Sequence, residues 1–449
     1  VDKNEDVGGD ASKSNSAIIH TGYDASPGTL ESQLVVAANP MYPELVKVLD
    51  VPFKQIGAIL PAITQEQFEQ LPAIKAKAFL NRVYDIEYLT KEQIIAMEPN
   101  INPEVKGGLH IPRESIIDPF ILVQALAENA NENGVDFLLN TKVTGIQTEN
   151  GKIKAVETTA GIIETGYVIN AAALYCDEIA AMVGKADYKV VARRGQFYIL
   201  DKNTSCKVEH IVLPIPTKIT KGKLMCPTIH GNMLVGPTAE DITDKSDTKV
   251  TYEGLKDIEK DVRAIIPNLN LDDAITEFSG LRPTRTPEGY FIGFSKKVKG
   301  YFEVSGMRSD GIGTSIGIGK YVRMMFEDSG IVFERKNRYI RKRAAIPCFA
   351  SATPAEREWM ISSNPLYGRV ICRCETVTEA EIVQAIHRIP GAETVDGIKR
   401  RLRAGMGRCQ GGFCAPKVME ILCRELGKDS IEILKNNLGS NMISGHSRN

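Results

Sequence analysis

The sequence predicts an α/β (α+β) protein followed by a small, separate C-terminal domain. Three observations carry this. A capped helix beginning at Asp118 runs into a series of short segments rich in β-branched residues. A second amphipathic helical pattern covers residues 249–267. Of nine cysteines, five lie beyond Gly368, and four of these form two close pairs, Cys372 with Cys374 and Cys409 with Cys414.

The elements follow in order. Asp118 can cap a helix whose first position is Pro119 and whose apolar face includes Phe120, Val123 and Leu126, with Gly134 as its stop. The segments 135–140, 141–148, 152–159 and 162–174 then read as strands, with Asn150-Gly151 and Ala160-Gly161 as turns, so a meander returns to a buried strand. The basic run 334–343, followed by the Ser-, Thr- and Pro-containing stretch from Pro347 to Pro365, reads as a linker. Cys423 lies on a helical pattern and reads as an apolar packing residue. Residues beyond Gly427 read as a frayed polar tail.

Composition bounds the function. The 449 residues suit two to four domains, and 55 Lys+Arg against 56 Asp+Glu leave a net charge of -1. That balance offers no general attraction for nucleic acid or anionic lipid. No apolar stretch approaches the ~18 residues of a membrane span, and the polar N-terminus is unlike a signal peptide, so the expected location is the cytoplasm. An odd cysteine count in a chain of this size argues against a secreted disulfide framework.

Four thiolates in two tight pairs, set among glycines, can close a tetrahedral zinc site or hold a two-iron cluster with two Cys on each iron. Spacing alone leaves these about even. The glycines let backbone amides approach sulfur, and Lys399, Arg400, Arg401, Arg403 and Arg408 add positive charge nearby. The C-x-C pair, the helical spacer, the run GIKRRLRAGMGRCQGGFC and the following helix together resemble the bacterioferritin-associated-ferredoxin-like (BFD-like) [2Fe-2S] domain over residues 367–425. The resemblance implies a [2Fe-2S] cluster on Cys372, Cys374, Cys409 and Cys414, with zinc as the alternative.

The larger part carries DASKSNSAIIHTGYDA at 10–25, VINAAALYCDEIA at 168–180, RRGQFYIL at 193–200, PTIHGNMLVGPTAED at 227–241, SGLRPTRTPEG at 279–289 and SGMRSDGIGTSIGIGKYV at 305–322. These stretches resemble the D-amino-acid-oxidase-like (DAO) FAD-dependent oxidoreductases, in the branch of glycerol-3-phosphate dehydrogenase and L-2-hydroxyglutarate oxidase. The resemblance implies a FAD-binding dinucleotide fold interleaved with an antiparallel-sheet substrate domain over 1–345, a linker at 346–366, the helical cluster domain at 367–425 and a tail at 426–449. A dinucleotide fold needs a Gly-rich turn after its first strand. None stands near the start, and GIGTSIGIG at 311–319 lies far downstream. The chain is therefore expected to begin at the end of the second strand, with roughly thirty family residues absent.

Position by position, the resemblance puts Asp2 on the adenosine ribose, and Ser12, Ser14, Asn15 and Ser16 beside the pyrophosphate and isoalloxazine. It places Val143 by the adenine. The amides of Gly311, Ile312, Gly313 and Thr314 would face negative charge on the flavin. Ala173 replaces a usual Gly and Asp310 a usual Pro. For substrate, Arg282 is the expected anion ligand, because a guanidinium holds carboxylate or phosphate bidentately. Arg285 is a second candidate, His20 and His230 are candidates for taking the hydroxyl proton, and Arg194 and Gln196 have no assigned role.

The expected activity is oxidation of a small anionic 2-hydroxy compound, with sn-glycerol 3-phosphate first and L-2-hydroxyglutarate second. Electrons would pass singly through the cluster to a partner subunit or quinone, peripherally at the inner membrane face through that partner. A non-catalytic iron–sulfur electron-transfer subunit is the reading from another class.

Overall fold

The protein is described as a computed structural model over residues 1–184, 187–216 and 222–445. Among these, nine strands form a mainly antiparallel sheet, running from Glu240–Ile242 through Lys189–Leu200, Met233–Gly236, Leu224–Pro227, Ile211–Val212, Ala58–Ala62 and Gly107–Ile111 to Glu87–Thr90. The strand Ala274–Thr286 pairs along the length of Lys189–Leu200, with Arg193 opposite Arg282 and Phe197 opposite Phe278. Phe197 and Phe278 stack with centroids 4.8 Å apart. Such a cross-strand pair contributes about 0.5–1.5 kcal/mol beyond burial and helps lock the register. Beneath it Leu60, Leu109, Ile111 and Ile211 are buried in one core.

Smaller sheets carry the rest. Ile18–Ile19 and Phe53–Gln55 flank Ser115–Ile117, and Val168–Asn170 runs parallel to Tyr301–Ser305. The helix Gly311–Asp328 crosses Leu30–Ala38 closely, since a Cβ on Gly317 would stand 2.9 Å from the Leu34 carbonyl oxygen. The downstream Gly-rich run is thus helix from Gly311 onward, and Gly317 serves helix packing. No helix among the described residues is long and apolar enough to cross a membrane.

Several expectations are met residue by residue. Asp118 caps the helix Pro119–Glu132 by accepting from the Phe120 and Ile121 amides, and the amphipathic pattern at 249–267 forms the helix Tyr252–Ile265, which the structure shows capped by Thr251. The meander Val143–Glu149, Lys152–Thr158, Gly161–Glu164 turns at Asn150 and Gly151, whose φ values are 52° and 72°. That positive-φ pair is what a two-residue hairpin demands.

Others are corrected. The first helix buries Leu122 and Ala125, while Phe120 and Val123 are half-buried and Leu126 is exposed, because the helix meets the body one position round from the expected stripe. Residues 135–140 are not a strand, although the Leu138 carbonyl and Asn140 amide bond to Asp2 and Asn4. Ile169 of the returning strand is exposed on its outer face. The stretch read as a linker holds the helix Pro354–Ser363, closed by a Thr353–Glu356 capping box, with Phe349, Met360 and Tyr367 packed on Ala380. The tail is ordered through Asn441: Ile433 is buried against the cluster domain, and the Leu434 and Lys435 carbonyls accept from the Val395 and Asp396 amides. Local polarity concealed these tertiary contacts; residues 446–449 lie outside the described residues.

Ala173 sits at φ 48°, in the left-handed region where a Cβ is strained. Ala173→Gly is expected to raise unfolding stability by about 1 kcal/mol, read as a higher denaturant midpoint at unchanged slope.

Candidate functional site

Arg282 arises from the long strand pair. Its guanidinium lies over Gly195, where an added Cβ would stand 2.6 Å from Nη2 and 2.9 Å from Cζ. Nη1 donates to the Thr238 carbonyl at 3.2 Å. Among the described residues no carboxylate makes an ion pair with it, whereas Arg193 opposite is held bidentately by Asp241 at 2.6 and 2.8 Å. Burial, reinforced by the charge of Arg193, pushes the Arg282 pKa down to about 10, against the opposing pull of Asp310. A desolvated guanidinium lacking a carboxylate calls for an anion. Gly195→Ala is expected to displace it and raise the KM for an anionic substrate about tenfold, measured by steady-state kinetics.

His20 follows the strand Ile18–Ile19. Its Nδ1 lies 2.8 Å from Glu114 Oε2, and its Nε2 lies 3.7 Å from Asp310 Oδ1. Glu114 is fully buried and also accepts from the Thr21 amide and hydroxyl at 2.7 and 2.9 Å. A carboxylate so fixed orients the ring through Nδ1 and turns Nε2 toward Asp310, the orienting role such a group plays beside a histidine base. Asp310 acts on both His20 and Arg282, so the two share one neighbour. His230 differs: its Nε2 contacts Asp118 at 2.7 Å, the same carboxylate that caps Pro119–Glu132.

The polar loop is folded by Asn15, whose side-chain amide donates to the Ala11 and Ser12 carbonyls at 3.1 and 2.8 Å and whose Oδ1 accepts from the Ala17 amide. Ser14 lies so close to the long strand that a Cβ on Gly280 would fall 2.0 Å from its carbonyl oxygen. Gly313 faces the backbone of Ile18–His20, with an added Cβ only 3.6–3.8 Å away. Ile312 is pinned by the Tyr42 hydroxyl, which donates to its carbonyl, and Thr314 bonds back to the Asp310 carbonyl. Ser12, Ser14 and Ser16 are half-buried along this loop. Asp2 pairs with Leu138 and Thr141 through its backbone, two residues before Val143. Small residues thus bring a polar loop and a helix N-terminus together, a cradle that fits FAD and that added Cβ atoms would fill.

The structure separates other candidates. Arg285, three residues from Arg282 on the strand, takes the opposite face and lies over Tyr188 at 4.4 Å and Phe291 at 5.3 Å, so it is not a second anion contact beside Arg282. Arg194 is buried on Glu240 and Asp247. Gln196 bonds the Thr251 amide at 2.6 Å and supports that helix cap. Glu114 escaped sequence reasoning because nothing local distinguishes it from any surface glutamate.

In the small domain, the hairpin Val370–Cys372 with Val377–Thr378 and the turn before Ala415–Leu426 assemble the four thiols. Cys374 and Cys409 Sγ are 3.8 Å apart, about the edge of a tetrahedron with ~2.3 Å metal–sulfur bonds. Cys372 and Cys414 form a second, buried pair; the Cys414 hydrogen bond and the Gly405, Glu375 and Cys374 amides bring the Cys372 pKa down to about 6. The Phe413 and Gly411 amides likewise lower Cys409. Among the described residues no three His, Cys, Asp or Glu side chains converge as ligands of a single ion. Two thiol pairs with amide donors suit a two-iron cluster. Of the basic residues expected near it, Arg403 joins Lys202 on Glu375 and Arg408 reaches Asp201, but Arg400 and Arg401 are spent on Glu5 and Asp6.

Comparison with known proteins agrees with this layout. Residues 1–325 match the family described as FAD dependent oxidoreductase, and residues 370–424 match the BFD-like [2Fe-2S] binding domain. A glycerol 3-phosphate dehydrogenase from Caloramator mitchellensis is 41% identical over 445 residues, spanning 99% of this chain and 92% of that one. A glycerol 3-phosphate oxidase from Mycoplasma pneumoniae is 30% identical over 70% of this chain and 83% of its own. The solved structure of dithionite-reduced L-alpha-glycerophosphate oxidase from Mycoplasma pneumoniae with FAD bound superposes with a TM-score of 0.71 at 28% identity, covering 76% of this chain and 90% of that one.

Proposed function

We propose, from the premise that the chain belongs to the FAD dependent oxidoreductase (DAO) family and carries a BFD-like [2Fe-2S] domain, that it oxidises sn-glycerol 3-phosphate to dihydroxyacetone phosphate. The observation that carries this reading is Arg282, desolvated, without an ion-paired carboxylate among the described residues, and sharing Asp310 with His20 as a neighbour. Arg282 binds the phosphate and sets the substrate's orientation. His20 Nε2 takes the proton of the secondary hydroxyl, while Glu114 holds Nδ1 and stabilises the charge that develops on the ring. Ser12, Ser14, Asn15, Ser16 and the amides of Gly311 to Thr314 hold the cofactor, with Asp2 and Val143 at its adenosine end. Bound FAD supplies the acceptor for the hydrogen leaving carbon as hydride. Cys372, Cys374, Cys409 and Cys414 would hold the cluster, which when bound would supply single-electron transfer toward a partner protein or quinone.

L-2-hydroxyglutarate offers a carboxylate to the same guanidinium. Steady-state assays with both compounds and an artificial acceptor are expected to give kcat/KM at least about 100-fold higher for sn-glycerol 3-phosphate. A preference of that size for L-2-hydroxyglutarate replaces the substrate assignment, and no turnover of either, with a cluster but no flavin bound, leaves an electron-transfer subunit.

A further inference from the structure

The helix Val395–Leu402 of the cluster domain carries two consecutive arginines, Arg400 and Arg401, in its last turn, which a short amphipathic helix would ordinarily point into water. Here Arg400 and Arg401 are only 4% and 5% exposed. Arg401 grips Asp6 with both terminal nitrogens at 2.6 and 2.8 Å, and donates as well to the Gly397, Pro390 and Gly391 carbonyls. Arg400 reaches Asp6 at 3.0 Å and Glu5 at 3.3 Å, and holds Asn436 at 2.7 Å. Burial would raise the Asp6 pKa, but the hydrogen bonds and charges of Arg401 and Arg400 keep it below the usual carboxylate value. Glu5 Oε2 and the Nε atoms of both arginines are buried without partners. A buried ion cluster with unsatisfied atoms is a poor source of stability and a good device for fixing position.

What it fixes is the N-terminal segment. Asp6 stands four residues after Asp2, whose backbone is tied to Leu138 and Thr141, while Asn4 is tied to Asn140. Gly8, at φ 72°, turns the chain against Val123, and the Asn4 side chain bonds Asp10, which leads into the loop carrying Ser12 to Ser16. Lys13 of that loop lies in the field of Arg400 and Asp396. The cluster domain therefore holds the segment at Glu5 and Asp6 and acts electrostatically on its loop at Lys13. A separate anchor, Arg388 together with Arg343 on Glu128, joins the same domain to the helix Pro119–Glu132 without touching the segment.

We propose that the docked iron–sulfur domain clasps residues 2–16 in their cofactor-binding form, so that FAD retention depends on the Arg401–Asp6 ion pair, Arg401 acting as a positioning residue. The proposal rests on the assignment of that segment to FAD made above. It makes the two cofactors interdependent: a chain whose cluster domain is undocked would hold flavin weakly.

The test uses the full chain and measures FAD affinity by titration of flavin fluorescence, amide hydrogen exchange of residues 2–16, and iron and sulfide content. Arg401→Met and the isosteric Asp6→Asn are expected to weaken FAD binding about tenfold or more and to speed exchange across 2–16, with iron content unchanged. The charge-swapped pair Asp6→Arg with Arg401→Asp is expected to recover most of the affinity, and Arg388→Met to leave it native. Native affinity and native exchange in both Arg401→Met and Asp6→Asn overturn the clasp, as does an equal loss in Arg388→Met. If the unaltered chain binds no FAD, the flavin assignment itself falls, and faster exchange in the variants tells that failure apart from failure of the clasp.

Discussion

Replacing Arg282 by methionine is expected to lower kcat/KM for sn-glycerol 3-phosphate about a thousandfold, equivalent to about 4 kcal/mol. The size follows from where the guanidinium sits. It is desolvated over Gly195 and, among the described residues, is hydrogen-bonded to the Thr238 carbonyl and has no ion-pair partner, so under the proposed function the substrate anion would supply its counter-charge. Methionine fills similar space and removes the charge. Lysine restores a point charge but not the planar fork, and Arg282→Lys is expected to recover part of the loss. FAD content, measured from the visible spectrum, is expected to stay native in both, because Arg282 lies on the strand Ala274–Thr286 and not in the loop proposed to hold the cofactor. A loss below tenfold in Arg282→Met removes it as the anion ligand.

Cys414→Ser is expected to abolish the iron–sulfur absorbance and to reduce transfer to the physiological acceptor more than about 100-fold, while turnover with an artificial flavin-level acceptor changes less than about twofold. Cys414 is buried beside Cys372 and is a nearly isosteric exchange for serine, so the small domain keeps its core of Ile382, Ile398 and Leu422. The unequal response is the point: equal loss with both acceptors, or no loss with either, argues against a relay. Retained iron together with native absorbance removes Cys414 from the ligand set.

Legibility in the sequence followed the range of the interactions. The Asp118 cap, the Asn150-Gly151 turn and the grouping of four cysteines were readable, because each is a statement about a few neighbouring residues; that Cys374 meets Cys409 and Cys372 meets Cys414, across the two sequence pairs, was not. The helix face starting at Pro119 was misread by a position, since both stripes are apolar and only the partner surface chooses between them. The expected linker and tail failed for a related reason: Ser, Thr, Asn and Lys dominate them, yet Met360, Tyr367 and Ile433 reach the neighbouring core. Arg285 was misplaced by the simple alternation of a strand, which sends residues three apart to opposite faces.

The sequence by itself determined that this is an α/β chain with a distinct cysteine-paired domain, and through its motifs which family it resembles. Periodicity, caps and thiol spacing are local, and local chemistry survives without coordinates. Only the tertiary structure decided which charges meet. His20 finds Glu114 ninety-four positions away, and Arg401 finds Asp6 at a separation of 395. The long strand pairing sets Arg282 over Gly195 with no ion-pair partner among the described residues. An arginine or histidine has the same side chain wherever it falls; desolvation and the identity of its neighbours make it a surface charge, a clasp or an anion site, and those are properties of the folded chain.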